Sequence, residues 1–202
     1  MAQPKLAVPP GRAGRIWLVR RLETARRGAD LLDRKLLILQ GELARRQAAA
    51  VRTRAHWDRC DADAQRWLLR AALLGGQRAI RLADDGQGAD VTISYQQAMG
   101  VRYPSRAACL FPSPSTWDNP VMAGTRQAHR AALAAAADHA AAAAAVRIVD
   151  AEVRATRYRL RAVQDRWIPR LEQALGEVTF ALEEQERSDA ARLRLAARPT
   201  RS

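Results

Sequence analysis

The chain has 202 residues, 48% hydrophobic but only 5% aromatic, with a formal net charge of +13 and a pI near 11.3. Alanine and arginine dominate it, and both are strong helix formers, so the composition excludes a wide globular core and suits long helices. The charge brings anionic partners into view: nucleic acid, membrane headgroups or an acidic protein cavity.

Of the 34 basic residues only Lys5 and Lys35 are lysines. That reads either as a compositional preference for arginine or as selection for planar, multi-donor contacts to carboxylates and phosphates. Cys60 and Cys109 form no metal-ligand spacing and fit a reducing compartment. No segment approaches the roughly 18 to 20 uninterrupted apolar residues of a membrane span, and the prolines and charges of the N-terminus are not those of a secretory signal. The expectation is a soluble protein, peripheral if it meets a membrane.

Residues 1–11, with Pro4, Pro9, Pro10 and Gly11, predict a flexible leader. A first helix is then expected over 12–83. From Leu18 an apolar ladder climbs in steps of four and three through Leu22, Ala25, Ala29, Leu32, Leu36, Leu39, Leu43, Ala50, Trp57, Cys60, Ala64, Trp67, Ala71 and Leu74. Only Arg46 and Thr53 break the register. A seven-residue repeat held this long leaves one narrow seam, buried against another helix in a left-handed supercoil. Gly75-Gly76 weaken the far end, and Asp84-Asp85-Gly86-Gln87-Gly88 stops it.

Residues 84–120 change grammar. Val91, Ile93 and Tyr95 alternate with polar residues in the period-two pattern of a strand. Val101-Arg102-Tyr103 reads as a returning strand after a Met99-Gly100 turn, and the prolines at 104, 112, 114 and 120 forbid helix. A small β-hairpin and a loop are expected here, at the tip of a rod.

A second helix is expected over 121–197, packed antiparallel on the first, with 198–202 as a basic tail. Its alanine tract, Ala131 to Ala145, reads either as low-complexity filler or as a seam of close approach. If the chain folds back at the insert, residues whose numbers sum to about 204 face one another, which sets Trp67 against the tract and Trp57 against Ala145 to Arg147. Large rings opposite small side chains fill such a space at native density. The ladder resumes at Val146, Val149, Val153, Thr156, Leu160, Val163 and Trp167, then shifts to Leu171, Leu175, Val178 and Leu182. The extra four-residue step is a stutter, and it coincides with Pro169, which predicts a bend. At about 1.5 Å per residue each arm would span on the order of 100 Å. The expected fold class is therefore all-α: a long antiparallel two-helix left-handed coiled coil with a small β-hairpin and loop insert at its tip.

No catalytic, cofactor or metal site is expected. His56, His129 and His139 are isolated along the chain, and Gly86-Gln87-Gly88 follows a helix and precedes a strand, the reverse of a nucleotide loop. Asp84-Asp85 lacks the alternating acids of a calcium loop. Glu183-Glu184-Gln185-Glu186 is a charge run with the ordinary reading of a solvated face.

The stretch Arg20-Arg21-Leu22-Glu23-Thr24-Ala25-Arg26-Arg27-Gly28-Ala29-Asp30-Leu31-Leu32-Asp33-Arg34-Lys35 resembles the N-terminal helix of the D subunits of V-type and archaeal-type rotary ATPases. Trp167-Ile168-Pro169-Arg170-Leu171, followed by Leu182-Glu183-Glu184-Gln185-Glu186-Arg187, is similar to that family's second helix. Met99-Gly100-Val101 with Pro104 is similar to its central turn. Order and spacing agree from about residue 9 to 198. Arg161-Ala162-Val163-Gln164 departs from the family's usual run before the Ile-Pro pair, and the alanine tract is more extreme.

The resemblance implies a non-catalytic central stalk, or rotor shaft, that couples ATP hydrolysis or synthesis to rotation and to proton or sodium translocation. It implies as partners the catalytic A and regulatory B subunits of a hexamer, the small stalk protein known as the F subunit, and a funnel-shaped adaptor above the membrane ring. It implies no cofactor, no nucleotide on this chain, no direct nucleic acid or membrane insertion, and a cytoplasmic place peripheral on the cell membrane.

A hairpin of two long helices brings both basic ends together: Arg12, Arg15, Arg20, Arg21, Arg26 and Arg27 on the first, Arg187, Arg192, Arg194 and Arg198 on the second. These are the expected contacts to acidic loops of the hexamer. Two rival readings are a basic coiled coil that binds nucleic acid and a free-standing helical scaffold. Against the first, Trp57, Trp67 and Trp167 sit on the seam, where they are poor platforms for base stacking.

Overall fold

The computed structural model describes residues 6–83, 88–113 and 120–196. The expected leader residues 1–5, the helix stop at Asp84 to Gln87, the proline at 114 and the basic tail with Arg198 lie outside the described residues.

The fold is all-α with one small sheet, in the chain order helix, hairpin, helix. Helix α1 runs Gly11–Ala83, followed by strands β1 (Asp90–Ala98) and β2 (Val101–Leu110). Helix α2 covers Pro120–Arg161 and passes through a π turn, Ala162–Trp167, into helix α3, Ile168–Ala196. Pro120 opens α2 at the first helical position, where a missing N–H costs nothing. The chain divides into two compact units, Met1–Leu36 with Ala155–Ser202, and Leu37–Arg154.

In the first unit, α1 and α3 pair antiparallel around Leu18, Leu22 and Leu171, all buried, with Trp17, Ala25, Trp167, Ile168, Leu175 and Val178 packed on them. These are the seam positions of the ladder and of its shifted continuation, with Trp17 and Ile168 beside them. Leu6 and Val8 join the same cluster. The leader is therefore not loose over those residues: two apolar side chains close to the helix start cover the end of the seam and gain by leaving water.

Arg12 reaches Glu186 at 2.9 Å and Arg26 reaches Glu172 at 2.7 Å. This pairing is about six residues, under two turns, from the expected alignment.

In the second unit, Ala64, Ala128 and Ala132 form a small buried cluster with Cys60 and Trp67 against it. Ala135, Ala141 and Ala145 are buried too, so the alanine tract is a seam of close approach rather than filler. Trp67 does meet small residues, in the cluster with Ala128 and Ala132 at the start of the tract and at Gly124 before it. A Cβ placed on Gly124 would come within 2.5 Å of the indole, and the Thr125 hydroxyl donates to the Trp67 carbonyl at 3.2 Å. Trp57 stacks on His139, with ring centroids 5.6 Å apart, instead of facing Ala145 to Arg147.

By length and composition alone the helical stretch Pro120–Ala196 is apolar enough to cross a membrane, with an 18-residue window of mean hydropathy 1.4. No run of that length is uninterrupted, since Asp138 and His139 divide the alanine tract. The alanine tract raises the hydropathy, and its seam positions are buried against the rest of the unit.

The α1 seam ends at Ala71, and Leu74 is 74% exposed. The reason is alignment: Gly124 already lies against Trp67, so little of α2 remains to cover the next turns of α1. Gly76 then breaks the helical path with φ 66° and ψ 177°. A left-handed φ is open to glycine at no steric cost, so the second of the two glycines bends the helix well before Asp84.

The hairpin forms as the alternation requires. Met99 and Gly100 both have positive φ, 48° and 82°, which a two-residue type I′ turn needs. The returning strand extends past Pro104 to Leu110 because a bulge accommodates the proline. Ser94 pairs with Arg106 and Tyr95 with Pro104, so Ser105 is the extra residue, and its hydroxyl donates to the Ser94 carbonyl at 3.1 Å.

The hairpin does not project beyond the helix ends. Tyr103 of β2 donates to Glu42 of α1, and the Ala107 N–H donates to the Asp138 carboxylate of α2 at 3.1 Å. The insert thus folds back along the flank of both helices. The expected position at a tip is corrected by these two tethers, which come from residues far from either helix end.

Candidate partner-contact surfaces

Glu42 occupies the middle of the second unit's polar seat. It sits beside the seam, next to Leu39 and Leu43, and is only 5% exposed. The Tyr103 hydroxyl donates to one of its oxygens at 2.7 Å, Arg46 Nε to the same oxygen at 2.6 Å and Arg45 Nε to the other at 2.9 Å. Arg46 also donates to Gln96 Oε1 of β1 at 3.1 Å, and its guanidinium lies 5.0 Å from the Tyr103 ring centroid.

Burial pushes the Glu42 carboxyl up. The hydrogen bonds from Tyr103, Arg45 and Arg46, with the Arg46 charge, outweigh that and hold its pKa at about 2 against an ordinary 4.5. Burial, then the bond to Glu42, pushes the Tyr103 phenol up. A carboxylate locked in the charged form and engaged by three donor groups is a poor acceptor for proton transfer, so its chemistry is structural.

This explains the ladder's polar breaks. Arg46 reaches the hairpin, and the Thr53 hydroxyl lies 3.3 Å from His139 Nδ1. Both of these half-buried polar residues are matched by a polar partner in the same unit. Among the described residues no buried side-chain nitrogen or oxygen lacks a partner.

Beside this seat Val91, Ile93 and Tyr95 of β1, with Pro104 and Ala107 of β2 and the alanine stripe of α2, line an open apolar groove of about 490 Å³. Those three β1 side chains are each about half exposed.

The expected basic contacts lie in the first unit, and the structure pairs many of them within the chain. Arg12 meets Glu186, Arg26 meets Glu172 and Arg27 meets Glu23 at 3.6 Å. Arg187 bridges to Glu183 and Glu184, and Arg192 meets Asp189 at 3.8 Å. The acidic run near the end of α3 is thus a set of ion-pair partners as well as a solvated face.

Arg21 lies against Trp17 and Trp167, with its guanidinium carbon 5.6 and 6.0 Å from the two ring centroids. Arg15 lines a groove with Ile16, Thr179, Leu182 and Glu183. Arg20 and Arg194 are exposed; Arg198 is outside the described residues. All these ion pairs are solvent-exposed, so each holds its arginine only weakly and leaves it able to exchange one carboxylate for another.

Sequence reasoning missed Glu42 and Tyr103 as a pair. The one available signal was an acidic residue flanking a seam that is itself interrupted four residues later by Arg46. Among the described residues no group of three or more His, Cys, Asp or Glu side chains could hold a metal ion.

Comparison with known proteins is consistent with this architecture. Residues 16–198 match the family model that describes the D subunit of ATP synthase. The chain is also 30% identical over 198 residues to the V-type ATP synthase D subunit of Anaeromyxobacter sp. (strain Fw109-5), covering 92% of this chain and 91% of that one. A match of this extent, running from the first turns of α1 through α3, places the chain in the ATP synthase D-subunit family.

Proposed function

We propose that this chain is the central-stalk rotor subunit of a V-type or archaeal-type rotary ATPase, where it couples nucleotide turnover in a catalytic hexamer to rotation and to proton or sodium translocation. The chain itself is non-catalytic in this reading. Its partners are the catalytic A and regulatory B subunits, the small F subunit of the stalk and a funnel-shaped adaptor above the membrane ring. Its place is cytoplasmic and peripheral on the cell membrane.

The observation that carries the reading is the family match over residues 16–198 on a chain made of long, mutually packed helices. A part that transmits torque must resist twisting, and seams filled ring-against-small-residue offer that stiffness. The arginines of the first unit supply the charged face that acidic hexamer loops would engage. The partial burial of Trp57, Trp67 and Trp167 weighs against nucleic acid as the partner.

Affinity purification of the tagged chain from its host in mild detergent tests the assignment. One copy per ATP-hydrolysing hexamer, with a small stalk partner, is the expected result. A nuclease-sensitive eluate without ATPase subunits would overturn it. Removing residues 187–202 should weaken ATP-driven rotation, and full coupling in the truncated protein would count against the role given to the basic end.

A further inference from the structure

The second long helix leaves α geometry at the π turn Ala162–Trp167. The Ile168 N–H donates to the Val163 carbonyl, five residues back instead of four. Pro169 follows at once and has no N–H to give. Neither the Asp165 carbonyl, its acceptor at α spacing, nor the Gln164 carbonyl, its acceptor at π spacing, receives a bond from it.

No side chain of the turn is buried, and Gln164, Asp165 and Arg166 are exposed. Water therefore has access to the backbone at the point where Pro169 withholds its donor. On either side the helix is anchored by apolar burial, at Leu160 before the turn and at Leu171 after it. From α1 the end of the turn is held by Arg21, which lies against both Trp17 and Trp167.

We infer that Ala162–Pro169 is a built-in joint: one extra residue, held in a π turn and sealed against relaxation by Pro169, where the helix opens and twists in preference to the stretches on either side. The stutter explains why it persists. Closing the turn to α spacing with the same residues would rotate everything beyond it by one residue, about 100°, and take Leu171 off the seam. The buried leucine keeps the register, and the donor missing at Pro169 together with the exposed backbone makes the local opening easy. The joint stands whether or not the chain works as a rotor.

Hydrogen exchange on the full-length chain tests this. Amides from Val163 to Ile168 should exchange at least about tenfold faster than those from Val153 to Leu160 and from Leu171 to Val178. Deleting Gln164 removes the extra residue and should restore α spacing with Leu171 still on the seam, slowing the fast stretch and leaving only the gap at Pro169. Pro169→Ala restores a donor and should slow exchange in the turn without moving the register, which gives a reading if the deletion fails to fold. Uniform protection from 153 to 178 in the parent chain, or a fast stretch that survives both changes, would overturn the inference.

Discussion

The Tyr103 hydroxyl donates a 2.7 Å hydrogen bond to the buried carboxylate of Glu42, across 61 residues of sequence. With the Ala107 to Asp138 tether it seats the hairpin on both helices of its unit. Tyr103→Phe keeps the ring and removes the donor, so it should cost about 1 to 2 kcal/mol in urea unfolding. Glu42→Leu should cost more, since it also strips Arg46 of its carboxylate in a mostly buried position. An unchanged midpoint in both variants would mean the hairpin is not held this way.

The same carboxylate makes stability depend on acid. Its folded pKa of about 2 lies below its ordinary value of 4.5, so its contribution is full above the unfolded pKa and fades as pH falls from about 4.5 through 2. A shift of this size corresponds to about 3 kcal/mol. Unfolding free energy measured between pH 6 and pH 2 should fall less steeply in Glu42→Gln than in the parent chain. Parallel curves would show that Glu42 titrates alike in both states.

Gly124 faces the Trp67 indole too closely for any side chain. Gly124→Ala should cost about 1 to 3 kcal/mol by overpacking, lowering the thermal midpoint by several degrees, about 2 to 4 °C per kcal/mol at this size. Trp67→Leu introduced with it should recover part of the loss, because the smaller side chain makes room. Additive losses would place the strain elsewhere.

How far these features are legible follows from their physics. The apolar ladder from Leu18 to Ala71 and its continuation to Leu182 are readable because seam burial imposes a period on the sequence. Met99-Gly100 declares the turn, and the stutter beside Pro169 marks where the helix departs from α. The seat of the hairpin is not readable. It depends on Tyr103 meeting Glu42 and Ala107 meeting Asp138, pairings between segments that carry no shared period. The alignment of the helices escapes sequence reasoning for a related reason: a heptad pattern repeats, so slipping one helix past the other by whole turns leaves the seam intact. What fixes it is local shape, with Trp67 fitting only where Gly124 leaves space.

The surface ion pairs should separate stability from association. Arg26→Ala removes an exposed pair and should change stability by less than about 1 kcal/mol. Charge reversal at Arg15 and Arg20 should leave the isolated chain's unfolding nearly unchanged while weakening its association with the catalytic hexamer, more so at low salt than at high. Binding indifferent to both charge and salt would remove these arginines from the interface.

The most direct test of the proposed role is single-molecule rotation. With the catalytic hexamer fixed to a surface and a bead attached through Met99→Cys at the hairpin turn, in a chain with Cys60→Ala and Cys109→Ala, ATP should drive unidirectional rotation of the bead. A complex that hydrolyses ATP at full rate while the bead stays still, with the chain intact in it, would contradict the account.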